Sequence, residues 1–320
     1  MRIIFRADAS REIGSGHVMR SSVLAEEAVS RGFECIFIGN ISGLDWVAER
    51  ISSLGFVQVL SDESSFVPNA ASDVLVLDSY SIPVSNTFIA KKNWKLVMSI
   101  CDQITPNYKV DIEIRPGFEE IRKGRETPVV LSGAEYILIR RGILKSNGKK
   151  VDSRYPRVLV VGGGSDPFGF VPTIAEVIQP FMMNLEVHLF TNERISTEFS
   201  RDFIIHPIGS ELDLIAQEVD LVLTTASTSS LEFIAREIPT GVVCLIDNQE
   251  DYYEQLSRLG YATQIGVRTS AGAWEFNVEA IRNLLLSQEK RDALKESVLD
   301  LIDFKGAERV IDFLVGFKGN

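Results

Sequence analysis

The sequence predicts an α/β protein made of two Rossmann-like halves. Three observations carry that prediction. At 320 residues the chain exceeds one ordinary domain. Short, continuous apolar runs alternate with amphipathic stretches, the pattern of parallel strands covered on both faces. The pattern also begins twice: "RIIFRAD" at 2–8 and "RVLVVGGG" at 157–164 each read as a strand that runs into a glycine-bearing turn and then a helix.

Taken in order, the strand at 2–8 leads to a helix from about 16 to 30, closed by Gly32. A strand at 33–39 and a helix at 44–54 follow, then buried strands at 73–80 and 95–102. The segment 144–156 is polar, basic and without periodicity, and reads as a linker. In the second half, strands are expected at 157–161, 185–190, 203–208, 220–225 and 240–246. Helices are expected near 170–180, 210–218, 229–237 and 250–259, and three more close the chain near 275–287, 289–302 and 304–317. The expected domains are therefore 1–145 and 155–300, with 301–320 as a C-terminal helix packing back on the first. Open α/β sheets bind ligands beyond the carboxyl ends of their strands, so a central cleft faced by both sheets is the expected site.

Composition removes several classes of function. A net charge of −11 and a pI near 5.0 disfavour nucleic acid and anionic membrane as partners. No apolar stretch approaches the roughly 20 residues of a membrane span, and "MRIIFRAD" is interrupted too early by Arg6 and Asp8 for a signal peptide. Cys35, Cys101 and Cys244 lie far apart without histidine partners, as buried thiols in a reducing compartment do. The expectation is a cytoplasmic protein with no metal and no cofactor. Nothing like a coiled coil fixes an oligomeric state, and a monomer is compatible with the sequence.

Three stretches carry residues suited to chemistry. "GSGHVMR" at 14–20 puts His17 in the first turn of a helix, where the helix N-terminus disfavours the imidazolium and leaves a neutral ring able to take a proton. Either Asp8, at the end of the first strand, or Asp78, at the end of "LVLD", can orient the other ring nitrogen. A packed or capping histidine fits the same spacing, and Arg20, one turn on, reads on spacing alone as a solvated helix arginine. "VVGGGSDP" at 160–167 lets the backbone turn sharply at Gly163 and Gly164, with Ser165 and Asp166 placed to cap the next helix. It is neither a dinucleotide fingerprint nor a Walker loop. "TTASTSSLE" at 224–232 ends a strand in small and hydroxyl residues, Thr224, Thr225, Ala226, Ser227, Thr228 and Ser229, at the positive end of a helix. That is a cradle for a diphosphate. Glu232 then either meets a ribose diol or completes a capping box with Ser229. His188 and His206 lie inside strand-like runs, where structural roles are expected.

"RADASREIGSGHVMR" closely resembles the opening motif of the UDP-2,4-diacetamido-2,4,6-trideoxy-β-L-altropyranose hydrolases, enzymes of pseudaminic acid biosynthesis related to spore-coat polysaccharide proteins. "LVLDSY", "GAEYILIR" (133–140), "VVGGGSDP" and the "SSLE…P…DNQ" stretch with "LGYA" (259–262) resemble the same family in the same order. The resemblance implies a GT-B fold, with UDP gripped mainly by the C-terminal half. It further implies a metal-independent hydrolase in which the histidine of the motif activates water at the anomeric carbon. Carried over, that residue is His17, with Asp8, Gly14, Gly16 and Arg20 around it, Tyr80 from "D-x-Y" and Arg140 from the end of "GAEYILIR". Gly163, Gly164, Ser165, Glu232, Asn248 and Gln249 match the nucleotide side. Two departures stand out: "TTASTSS" replaces a glycine-rich stretch, and "SICDQ" lacks the paired aspartates usual after that strand. A glycosyltransferase of the same fold, or a silent nucleotide-sugar-binding protein, is the alternative.

Overall fold

The structure, a computed structural model, describes residues 1–102, 105–118, 129–143, 155–196, 202–208, 212–246 and 249–317. Most of the expected linker, 144–154, lies outside the described residues. The chain divides into two compact units, Met1–Arg140 with Asp303–Asn320, and Arg141–Ile302.

The first unit holds seven strands: β1 (Arg2–Ala7), β2 (Glu34–Ile38), β3 (Gln58–Leu60), β4 (Val74–Asp78), β5 (Leu96–Ile100), β6 (Ile112–Pro116) and β7 (Val129–Gly133). They pair in parallel in the order β3-β2-β1-β4-β5-β6-β7. Helices α1 (Gly16–Ser30) and α2 (Asp45–Ser52) follow β1 and β2. The continuous apolar runs have a simple cause in β1. Ile3 and Phe5 face one core with Val18, Leu24 and Ala25 of α1, while Ile4 faces another with Ile36, Leu75 and Leu77. Both faces exclude water over Ile3–Phe5, so those three positions are apolar while Arg2 and Arg6 stand at the half-buried ends, and each buried apolar side chain contributes about 1.5–3 kcal/mol.

The second unit repeats the plan with β8 (Arg157–Val161), β9 (Glu186–Phe190), β10 (Ile204–His206), β11 (Leu221–Thr225), β12 (Thr240–Cys244), β13 (Thr263–Arg268) and β14 (Trp274–Phe276), in the order β10-β9-β8-β11-β12-β13-β14. Its helices are α3 (Phe170–Ile178), α4 (Leu212–Ala216), α5 (Thr228–Ala235), α6 (Glu250–Arg258), α7 (Val278–Leu286) and α8 (Gln288–Ser297). One strand corrects the all-parallel expectation: β14 runs antiparallel to β13, with Gly266 opposite Phe276. A short hairpin around Gly272, at φ +85°, returns the chain beside the strand it has just left.

The last helix, α9 (Gly306–Gly316), belongs to the first unit and packs there with Val310, Ile311 and Leu314 in the core of β1 and α1. Gly306 sits so close to the preceding backbone that a Cβ would come within 2.2 Å of the Ile137 carbonyl oxygen. Only glycine lets the helix start there.

Both sheets reverse their winding at one place, between β1 and β4 in the first and between β8 and β11 in the second. At the carboxyl ends of those strands lie His17 in the first turn of α1, Asp78 as the last residue of β4 and Tyr80 just beyond it in one unit, and the glycine and hydroxyl turns in the other.

Candidate active site

In the first unit the chain leaves β1, turns through Gly14 at φ +77°, where the amide of Gly14 donates to Ser10 O at 2.8 Å, and enters α1 at Gly16. His17 and Arg20 lie one turn apart on the buried side of α1, each 8% exposed. Asp78 ends β4 and is fully buried. Its Oδ1 lies 2.5 Å from His17 Nδ1, and Arg20 grips both carboxylate oxygens, Nε to Oδ2 at 2.6 Å and Nη2 to Oδ1 at 2.7 Å.

This geometry fixes the chemistry of the imidazole. Burial pushes Asp78 towards its neutral form, but the Arg20 guanidinium and His17 outweigh it and hold the carboxyl below the usual carboxylate range. An ionised carboxylate only accepts, so Nδ1 carries the proton and Nε2 keeps the lone pair. Arg20 Nη2 also lies 3.3 Å from Nδ1. With Nδ1 protonated, those are two donors side by side, both turned to Asp78. A guanidinium cannot surrender its proton: burial works against its charge, but the Asp78 carboxylate outweighs burial and raises the affinity of Arg20 for the proton further. The result is an imidazole held in one tautomer with a basic nitrogen on its far side.

Tyr80 closes the arrangement. Its ring meets the His17 ring edge to face, centroids 4.2 Å apart at 79°, and its hydroxyl donates to Asp102 Oδ2. Asp102, just past β5, also faces Arg20 at 3.5 Å.

Several expectations change here. Of the two candidate partners for His17, Asp78 holds the ring. Asp8 instead accepts from the Asn40 backbone N–H at 2.8 Å and pairs with Arg6 at 2.7 Å. Asp8 is the first residue beyond β1 and meets the loop that follows β2. Arg20 is buried and paired, which overturns the solvated reading; spacing places it on a helix face without saying what that face meets. Arg140 ends the N-terminal segment of the first unit, half-buried after the buried run Ile137–Ile139. Asp102 was not among the candidates. The signal was "SICDQ", a carboxylate directly after a buried strand at the ligand end of the sheet.

In the second unit the turn after β8 meets the turn after β11. Gly163, at φ +87°, faces both Thr225 Oγ1 and Ser229 Oγ, each 4.0 Å from where its Cβ would be. Ser227 caps α5, accepting from the Ser229 amide at 3.3 Å, and its hydroxyl lies 2.8 Å from Thr225 Oγ1. Ala226 is buried between them. Gly164, Ser165 and Glu232 are half-buried in the same unit. A capping box with Ser229 does not form, because the cap is Ser227 and Glu232 falls in the second turn of α5. Thr224 turns away: its hydroxyl donates to Val161 O at 2.8 Å inside the sheet.

Asp166 decides which helix is free for an anion. Its buried carboxylate accepts from Phe170 N at 2.8 Å and Val171 N at 3.0 Å, so the N-terminus of α3 already holds a negative charge. The N-terminus of α5, beside Gly163, is capped by a neutral hydroxyl instead, with the Ser229 amide on Ser227 Oγ and the Ser230 amide on Ser227 O at 3.0 Å, so its positive end is not neutralised by a carboxylate. Gln249 is nearly buried and accepts from the Leu245 amide at 3.0 Å, which leaves its side-chain amide as the donor for any ligand contact. Asn248 lies outside the described residues. His188 and His206 stack on each other 5.2 Å apart, with Glu186 on the far ring nitrogen of His188, within the sheet edge.

Among the described residues no group of three His, Cys, Asp or Glu side chains is placed to hold a metal ion, and no helix is long and apolar enough to cross a membrane.

No family model matches the chain. It is 22% identical over 279 residues, 82% of this chain and 99% of the relative, to the UDP-2,4-diacetamido-2,4,6-trideoxy-beta-L-altropyranose hydrolase of Campylobacter jejuni subsp. jejuni serotype O:2. Among solved structures it resembles the S. aureus MnaA–UDP co-structure, with a TM-score of 0.63 at 12% identity over 98% of this chain and 95% of that one. MurG of Acinetobacter baumannii matches with a TM-score of 0.60 at 11% identity over 99% of both chains. The glycotransferase of kitacinnamycin matches with a TM-score of 0.61 at 14% identity over 98% of both. The fold is of the GT-B kind. The resemblance to the hydrolase read from the motifs thus extends along most of the chain, on an α/β fold of two Rossmann-like units.

Proposed function

We propose that this chain hydrolyses a UDP-activated deoxy-amino sugar, releasing UDP and the free sugar. The observation that carries the reading is His17 held by Asp78 and Arg20 in one tautomer, with its basic nitrogen turned away from that pair. Its similarity to a UDP-sugar hydrolase supplies the substrate class.

The chemistry needs few parts. UDP is a good leaving group, so the barrier lies in placing a water and making it nucleophilic. His17 Nε2 accepts a proton from water as its oxygen bonds to the anomeric carbon. The bond from that carbon to the β-phosphate oxygen breaks, and its electron pair leaves with UDP. The Asp78 carboxylate stabilises the imidazolium as it forms, and a base so placed contributes about 10²–10⁴-fold. On the second unit, Gly163, Gly164, Thr225, Ser227, Ser229 and the first amides of α5 take the diphosphate, with Ser165, Glu232, Asn248 and Gln249 on the nucleoside. Gly14, Gly16, Tyr80 and Arg140 serve the sugar. No metal or cofactor takes part, and the enzyme works as a cytoplasmic protein in nonulosonic acid or surface polysaccharide biosynthesis.

The test is UDP release from UDP-2,4-diacetamido sugars without any added acceptor, in water enriched in oxygen-18. Turnover is expected with no label in UDP, since the sugar–oxygen bond breaks, and His17→Ala should reduce it about 10³-fold. A rate that His17→Ala leaves unchanged, or label in UDP, overturns the mechanism. Strong acceleration by a sugar acceptor would assign the same site to glycosyl transfer.

A further inference from the structure

The mechanism above gives Asp102 no task, yet the structure builds a seat for it. Thr105 Oγ1 donates to Asp102 Oδ1 at 2.9 Å and accepts from the Asp102 amide at 2.9 Å. The other oxygen, Oδ2, takes the Tyr80 hydroxyl and faces Arg20 Nη1 at 3.5 Å. Tyr80 in turn meets the imidazole edge to face. Asp102 therefore reaches His17 twice, through a ring that packs on it and through a guanidinium shared with Asp78.

Charge gives that seat a meaning. One guanidinium, Arg20, faces two carboxylates, Asp78 and Asp102. While His17 is neutral the cluster carries one uncompensated negative charge, and when His17 is protonated it carries none. The other titratable groups nearby do not alter the balance. The Tyr80 phenol is pushed up by burial and stays protonated, and burial pushes the Cys101 thiol up to about 11. Glu113 and Arg115, on the strand beside Cys101, neutralise each other at 2.9 Å. Without Asp102, taking up a proton would leave a net positive cluster in a buried place.

We propose that Asp102 is a positioning residue for His17: through Tyr80 it sets the angle of the imidazole, and as the second carboxylate on Arg20 it supplies the charge that the transferred proton balances. The role rests on the hydrolase reading for its consequence, but its physical content is independent of any substrate.

Two variants separate the parts. Asp102→Asn keeps an acceptor for Tyr80 and removes the charge; Tyr80→Phe removes the hydrogen bond and keeps the charge. The ring nitrogens of the chain's 3 histidines can be followed by ¹⁵N NMR, with His188→Gln and His206→Gln identifying His17. In Asp102→Asn the titration midpoint of the His17 ring should move to lower pH, while Tyr80→Phe should leave it nearly in place. On a turned-over UDP-sugar, Asp102→Asn should lower kcat about tenfold with KM within about twofold, and the acid limb of the kcat profile should move down with the ring midpoint. Asp102→Ser, also uncharged, makes the same test should the amide variant not fold. A merely structural Asp102 would lower the melting temperature and leave the midpoint unmoved, and an unmoved midpoint in a folded variant overturns the proposal. If the wild type cleaves no UDP-sugar, the ring titration still decides the role of Asp102, so the two readings fail separately.

Discussion

Asp78 is stable as a buried anion only because Arg20 lies against both of its oxygens, at 2.6 and 2.7 Å. Such pairs return little more than their desolvation cost, but removing one partner strands the other and typically costs about 3–5 kcal/mol. Asp78→Asn would turn an N–H towards either Arg20 or His17, both of which donate. It should therefore lose stability of that order as well as turnover. The pH dependence gives a sharper sign. The Asp78 carboxyl is held below the usual range in the folded protein, so the stability it contributes is complete above its unfolded value, about 4. It is lost as pH falls from there through the lower folded value. Urea unfolding followed below about pH 4 should show the wild type losing stability more steeply than Asp78→Asn. Parallel slopes would mean that Asp78 is not the charged partner the geometry makes it.

At the scale of elements, the first two of the three glycines after β8 do different work. A Cβ on Gly162 would meet Asp166 Oδ1 at 2.3 Å and push the carboxylate off the amides of α3. Gly162→Ala should therefore lower the melting temperature, by an amount worth about 1–3 kcal/mol. Gly163 has room for a methyl, but its φ of +87° disfavours any side chain, and the methyl would stand before Thr225 and Ser229. Gly163→Ala should cost about 1 kcal/mol of stability and weaken UDP binding by more than Gly162→Ala does, as titration calorimetry with UDP would show. Equal effects on UDP would remove Gly163 from the site. The sequence exposes both turns because glycine and hydroxyl residues interrupt buried apolar strands, and the helices and the continuously apolar strands were legible from their patterns. The strands that escaped it are short, edge-placed or mixed in pattern. Gln58 and Val59 of β3 face solvent, and "TQIGVR" of β13 has no apolar run to read. At the candidate site, His17 and Asp78 were legible from position, whereas Arg20 and Asp102 were not. Their roles depend on which side chains meet across β1, β4 and β5, and spacing along one element carries no such information.

For the whole molecule, the net charge of −11 means that an anionic substrate gains no long-range attraction. If the proposed reading holds, affinity for UDP comes from local donors, and the helix end and hydroxyls beside Gly163 are confined to the second unit. His17, Asp78 and Tyr80 belong to the first, which has cores of its own. Ligand parts should thus protect the units selectively in hydrogen exchange. On the proposed reading, UDP alone should slow exchange at 162–165 and 225–230 and leave 14–20 and 78–81 unchanged, because the donors assigned to it all belong to the second unit. At a concentration of UDP 100 times its Kd, the protected amides that open by unfolding of the second unit should gain about 2.7 kcal/mol. Protection by UDP centred on 14–20 would reverse the assignment of the two units, placing the diphosphate beside His17.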